Sequence, residues 1–262
     1  MNRKCEVRNK LDQIEALLER KSQEALLITE QSNFSWLTGG GRGFLGLAST
    51  KACASLLITK KGAYLLANNI EGKRLMEEEG LGFFCELIQI PWQQDGTILE
   101  LAKSKLGVIP VPDTEWKSEL DACRRIMSIE EKDRYLLLCE DAAQAMEETM
   151  KGFFPGISEF EAAGRISSAL WSRGIEPISL FAAADDRVQN YRHFIPTEKT
   201  ASNQMIISIC GRKGGLVASV TRTVAFGSDI HELETYYYKL LRVESAAWNS
   251  LKRGCAMSEI YQ

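Results

Sequence analysis

At 262 residues, with 45% hydrophobic and 26% charged side chains, the chain carries enough apolar material for one large core or two modest ones. That composition excludes the disordered and fibrous classes. A formal net charge of -3, with no local cluster of Lys and Arg to offset it, leaves no electrostatic footprint for nucleic acid.

The opening stretch MNRKCEVRNKLDQIEALLERK mixes charges of both signs and sets Leu11, Ile14, Leu17 and Leu18 at helical spacing. It predicts an amphipathic helix, not a signal peptide, and no apolar run approaches the roughly 18 residues of a membrane span. A cytoplasmic location is expected. The cysteines (Cys5, Cys53, Cys85, Cys123, Cys139, Cys210 and Cys255) are odd in number, scattered and never in CxxC spacing. They read as reduced, mostly buried thiols, against a disulfide framework or a zinc knuckle.

Further along, EALLIT (24–29) has strand length, and ASLLIT (54–59) and AYLLAN (63–68) flank a Gly-containing turn in a hairpin pattern. A charged helix follows in IEGKRLMEEEG, its carboxylates forming a solvated face. Then come a strand in FFCELIQI, a helix in TILELAKSK and a strand in LGVIPV. Residues 1–125 are therefore expected to form an α/β domain with a mixed sheet and helices packed on it.

The texture changes near residue 125. Ser128 with Glu131 matches a capping box opening a long helix, and Ser158 with Glu161 matches a second, whose helix Gly174 closes. Next come a strand in ISLFAAA (178–184), a hairpin over 205–227 with its turn at 212–215, and a last helix from about Asp229 to Arg253. Residues 126–262 read as α+β with an antiparallel sheet.

PGISEFEAA, the lone His193 in YRHFIPTEK, GLVASVTRTVAFG and the closing LKRG follow in the order seen in aminopeptidase P, prolidase and creatinase, and the chain resembles that family. The resemblance implies a creatinase-like α/β N-terminal domain followed by the first half of a pita-bread α+β domain. Metallopeptidases of the family carry D-x-G-x4-G-Y-x2-D-x-T-R-T in the hairpin; here Gly215, Thr221, Arg222 and Thr223 stand at matching offsets. The two Asp positions hold Ser208 and Ser219. Those carboxylates bridge two divalent ions about 3.5 to 4 Å apart, and a neutral hydroxyl is a poor substitute. No metal and no other cofactor is therefore expected. The resemblance puts the family's remaining His and Glu ligands after the helix near LKRG, beyond Gln262, so an uncovered sheet edge is expected.

Creatinase works without metal and uses a histidine as general acid and base, and His193 with Pro196 after it sits at a comparable place. An imidazole with an ordinary pKa near 6.5 serves both directions of proton transfer. The carboxylate that creatinase has just before its Arg-Thr pair is Thr221 here, which argues against creatine itself. His193 is thus the candidate catalytic residue, set against a purely structural histidine. Ser208, Cys210, Ser219 and Thr221 are the candidate pocket-lining residues. The two serines are otherwise ordinary strand residues, and Cys210 an inert thiol rather than a nucleophile or soft ligand.

His231 is expected to face solvent, Asp185-Asp186-Arg187 to be a turn with a local ion pair rather than a carboxylate site, and Arg222 to make a structural pair. The resemblance implies hydrolysis of a C–N bond in a peptide or small amide or amidine, in a homodimer. A non-catalytic pita-bread module that binds peptides or a protein partner is the reading from another class. A metallopeptidase that recruits other ligands lacks carboxylates at the motif positions.

Overall fold

The computed structural model describes residues 2–93, 100, 103–104, 107–227 and 230–261. Two sheets organise the chain, each with its own apolar core.

The first is a five-stranded mixed sheet in the order β4-β3-β2-β1-β5. It contains β1 (Ala25–Glu30), β2 (Lys51–Thr59), β3 (Gly62–Asn68), β4 (Cys85–Ile90) and β5 (Val111–Pro112). The β1–β2 and β2–β3 pairs are antiparallel, whereas β1–β5 and β3–β4 are parallel. Helix α1 (Arg3–Arg20) buries Val7, Ile14, Leu17 and Leu18. It also buries Glu6 and Lys10, which the amphipathic pattern does not anticipate. Short α-helices of this unit include α2 (Gln31–Leu37), α3 (Gly72–Glu77) and α4 (Lys117–Arg124). The sequence pattern offered no helix at α2, because QSNFSWL is too short to show a period. Its packing carries it: Phe34 and Leu37 are wholly buried. TILELAKSK lies mostly outside the described residues, and LGVIPV contributes only its last residue to β5.

The second sheet has the order β6-β7-β8, all antiparallel, from β6 (Glu176–Ala184), β7 (Gln204–Lys213) and β8 (Leu216–Ala225). Helices α5 (Ile129–Met150) and α6 (Glu159–Trp171) cover one of its faces. Leu138, Ala142, Met146, Ile166 and Leu170 meet Ala182, Met205, Ile207 and Ile209 in the core there. Ser128 caps α5 in a full capping box, with Glu131 N–H donating to Ser128 Oγ at 3.1 Å and Ser128 N–H to Glu131 Oε2 at 2.9 Å. At α6 only half of the expected box forms. Glu161 N–H donates to Ser158 Oγ at 3.1 Å, but the Glu161 carboxylate accepts from Arg165 instead. Gly174 closes the helix with φ +68°, as expected. A four-residue helix α7 (Arg187–Asn190) follows β6, and α8 (His231–Ser250) and α9 (Met257–Ile260) follow β8. The expected start of α8 at Asp229 lies outside the described residues.

Two further expectations change. The hairpin turn is tighter than 212–215: Gly214 and Gly215 alone make it, both with positive φ, as two-residue hairpin turns require. Of the seven cysteines, all free, only Cys85 is buried, its thiol pushed up to about 12 by desolvation. Short-range pattern reveals neither the depth of a strand in its sheet nor the cover it receives.

Candidate functional site

Alternation along β7 sends Ile207 and Ile209 into the core, and Ser208 and Cys210 to the opposite, open face. The register places Thr221 opposite Ser208 and Ser219 opposite Cys210. Cross-strand contacts follow: Thr221 Oγ1 donates to Ser208 Oγ at 2.8 Å, and Cys210 Sγ lies 3.3 Å from Ser219 Oγ. The four residues thus form two neutral, mutually bonded pairs on one face.

His193 reaches this face by another route. Phe181 of β6 stands opposite Ser208, and the His193 ring packs against Phe181 at a tilt of 43°, with 5.4 Å between centroids. The imidazole is exposed and, among the described residues, bonds to none of the four hydroxyl and thiol groups. Phe181 was not singled out from sequence. ISLFAAA shows its strand character, but only the cross-strand register reveals what it faces.

The loop carrying His193 is held from beneath by a buried carboxylate. Glu159, the first residue of α6, is fully buried and accepts from Ala184 N–H at 2.8 Å, Thr197 N–H at 2.8 Å and Thr197 Oγ1 at 2.7 Å, besides pairing with Arg187. Arg187 also donates to Ile195 C=O at 3.0 Å. Next to His193, the buried Phe194 accepts at its carbonyl from Ala182 N–H at 3.1 Å. Asp185-Asp186-Arg187 is accordingly a scaffold. Asp185, at φ +50°, accepts from the N–H groups of Ser202, Asn203 and Gln204. Burial pushes its carboxyl up, and those backbone donors more than offset it, leaving it below the usual carboxylate range. Asp186 pairs with Lys199. Arg222, on the covered side of β8, pairs with Glu147 of α5 at 2.7 Å.

The hairpin tip is seated against the first unit. A Cβ on Gly215 would lie 2.7 Å from Ser35 Cβ, and one on Gly40 would lie 2.8 Å from Gly214 C=O, so both positions need glycine for close approach as well as for positive φ. The Arg212 guanidinium stacks on Phe44 at 4.2 Å and bonds to Glu176 at 2.6 Å. Beside the tip lies the main concentration of buried charge. Lys10 Nζ donates to Glu6 and to Glu131, each at 2.7 Å, and Arg134 makes a two-pronged pair with Glu6 at 2.5 and 2.9 Å. Burial pushes the Glu6 carboxyl up, but Arg134 and Lys10 outweigh this and hold it below its ordinary value. The expectation that KRLMEEEG is wholly solvated also fails here. Glu79 is buried and bonds to Arg42 Nε at 3.0 Å and Arg42 N–H at 2.9 Å.

The open face does not fit a dimetal centre. Its hydroxyls are neutral and bonded to one another, and among the described residues no three His, Cys, Asp or Glu side chains converge in a metal-holding group.

A mixed-sheet unit is thus followed by two helices behind an open antiparallel sheet, with a histidine loop beside that sheet. Residues 136–262 match the model of metallopeptidase family M24. Solved structures with similar folds include the prolidase from Pyrococcus horikoshii OT3, with a TM-score of 0.73 at 19% identity over 96% of this chain and 75% of that one. The Xaa-Pro dipeptidase from Bacillus anthracis gives 0.73 at 18% over 97% and 75%. Proline aminopeptidase P II from Yersinia pestis gives 0.71 at 16% over 100% and 72%. No curated protein matches the sequence. Together the family match and the fold place the 136–262 region in the pita-bread, Xaa-Pro peptidase-like family.

Proposed function

We propose that the protein is an Xaa-Pro peptidase-like hydrolase that acts on a C–N bond of a peptide or of a small amide or amidine without the usual dimetal centre. His193 is the proton-transfer group and Ser208, Cys210, Ser219 and Thr221 line the pocket. The observation that carries this reading is the contact of an exposed imidazole with Phe181, on the strand next to the one that bears Ser208 and Cys210. In the step envisaged, a water oxygen adds to the carbon, His193 takes the water proton, and the same proton passes to the departing nitrogen as the C–N bond breaks. Residues 1–125 then serve as a creatinase-like N-terminal domain and 126–262 as the first half of a pita-bread domain. The neighbours' names support peptide substrates. We also propose a homodimer, with no nucleic-acid or membrane partner. The free cysteines support a reducing, cytoplasmic setting, and among the described residues no helix is long and apolar enough to cross a membrane.

Non-catalytic peptide binding is the second reading, favoured by one observation: the four pocket hydroxyl and thiol groups satisfy one another, and among the described residues no carboxylate bonds to His193. Turnover of Xaa-Pro dipeptides and guanidino acids by the protein and by His193→Ala separates the two. Hydrolysis by the wild-type protein that falls at least about a hundredfold in the variant, with unchanged thermal unfolding, supports the first. Equal rates in both, or none in either, would rule it out.

A further inference from the structure

Between the two sheets lies a cavity of about 480 Å³, within the roughly 300–1,000 Å³ typical of ligand pockets. Its walls come from α2, α4, the connection through Arg125 and Met127, the first turns of α5 and the tip of the β7–β8 hairpin, so both units build it. Every wall residue precedes residue 218, and none is shared with the His193 pocket.

Arg124, Arg125 and Arg134 line the cavity, with Asp121 and Glu131 as its acids. Both carboxylates are already answered: Asp121 accepts from Lys117 at 2.8 Å, and Glu131 accepts from Lys10 at 2.7 Å and from Ser128 N–H at 2.9 Å. The three arginines are not all spent. Arg124 is fixed by Ser32 Oγ and Asn33 Oδ1, each at 3.2 Å, whereas the exposed Arg125 makes no side-chain hydrogen bond or ion pair among the described residues and lends only its field to Asp121. Arg134 turns both terminal nitrogens to Glu6, yet its Nε–H is buried with no partner among the described residues. That group lies at the hairpin tip, where a Cβ on Gly214 would come within 3.7 Å of it. Buried donors without a partner are rare in folded proteins, and one that lines a cavity beside a free cation points to an acceptor from outside. Ser32 Oγ, which accepts from Arg124, still has its own proton to give. Met127 and Tyr135 line the same space and keep 40% and 36% of their surfaces exposed, so the cavity offers apolar surface as well.

We propose that this cavity binds a small organic oxyanion, a carboxylate or phosphate joined to an aromatic or aliphatic body. Arg125 and the Arg134 Nε–H would hold the oxygens through charge-assisted hydrogen bonds, Ser32 would donate a further bond, and Met127 and Tyr135 would cover the apolar body. Because both units supply walls, occupancy would fasten the hairpin tip to the connection between them. The site needs no turnover at His193. Hydrolysis by His193→Ala tests that pocket, and anion affinity tests this one.

The probes are phenylacetate and phenyl phosphate, with neutral phenylacetamide as the control, each titrated to about 10 mM into the ¹⁵N-labelled full chain while amide and arginine Nε–H signals are followed by NMR. Saturable shifts are expected for at least one anion, at residues 124–127 and 214–217 and at the Arg134 Nε–H. Saturation by phenylacetate alone, by phenyl phosphate alone or by both assigns the oxyanion. Arg125→Glu, a change at an exposed side chain, should weaken binding by about tenfold or more, Arg125→Lys by less, and His193→Ala not at all. Absence of saturation by either anion, equal binding of phenylacetamide, unchanged affinity in Arg125→Glu, or shifts that spare 124–127 and 214–217 would each overturn the proposal.

Discussion

The junction between the two sheets and the open face of the second sheet are lined in opposite ways. At the junction, Glu6, Lys10, Glu131 and Arg134 form a linked set of ion pairs, Glu6 and Lys10 being buried almost completely. On the open face, where the family resemblance would place metal-binding carboxylates, stand two serines, a cysteine and a threonine in neutral pairs. Both regions pair their charged or hydroxyl groups, although at the junction Arg134 Nε is buried without a hydrogen-bond partner among the described residues. The difference lies in what happens when one partner is removed. A buried charge left alone has no solvent to turn to, while a half-exposed hydroxyl finds water.

That contrast predicts a steep order of effects. Glu6→Gln strands Lys10 and Arg134 without their shared carboxylate and should cost about 3–5 kcal/mol of stability, read from urea unfolding. A loss below about 1 kcal/mol would mean that water already reaches the junction.

Asp185 lies between the extremes, half-buried and bonded to three backbone donors. Its folded pKa, like that of Glu6, is lowered, so the stability it contributes is complete above its unfolded value near 3.9 and disappears as pH falls through the folded value. Asp185→Asn should cost about 1 kcal/mol at neutral pH, solvent screening keeping it at the low end for bonds to a charged group. Below about pH 4 the variant should lose stability less steeply than the wild-type protein. Parallel curves on acidification would show that the charge of Asp185 is not what the three N–H groups recognise.

The smallest effect belongs to the open face. Ser208→Ala removes the acceptor of Thr221 Oγ1 and should change stability by less than about 1 kcal/mol. A change as large as that of Glu6→Gln would erase the distinction between the two regions.

Much of the fold was legible because it is written at short range. Ser128 and Glu131 cap α5 as their spacing predicts, and the apolar runs at 54–59 and 63–68 pair as a hairpin. Two-residue periodicity also put Ser208 and Cys210 on one face. The illegible parts depend on partners distant in sequence. Nothing in the amphipathic pattern of α1 marks Glu6 and Lys10 as buried, since their counter-charges are supplied by Glu131 and Arg134 of α5. Glu159 occupies a first helical turn, where an acidic residue is commonplace. Only the return of the chain at Thr197 shows it to be the anchor of the His193 loop. Gly215 matched a family motif position, and its local reason is the approach of Ser35.

The junction also bears on how the chain is made. Arg134 is synthesised 128 residues after Glu6, a wait of roughly 6–26 s at about 5–20 residues per second. Throughout that interval Glu6 has no Arg134 and Lys10 no Glu131, so the inner face of the first helix stays hydrated. The first sheet therefore leaves the ribosome with its seat for the second unfinished. Final closure of the molecule belongs to the emergence of α5 rather than to any event within the N-terminal residues.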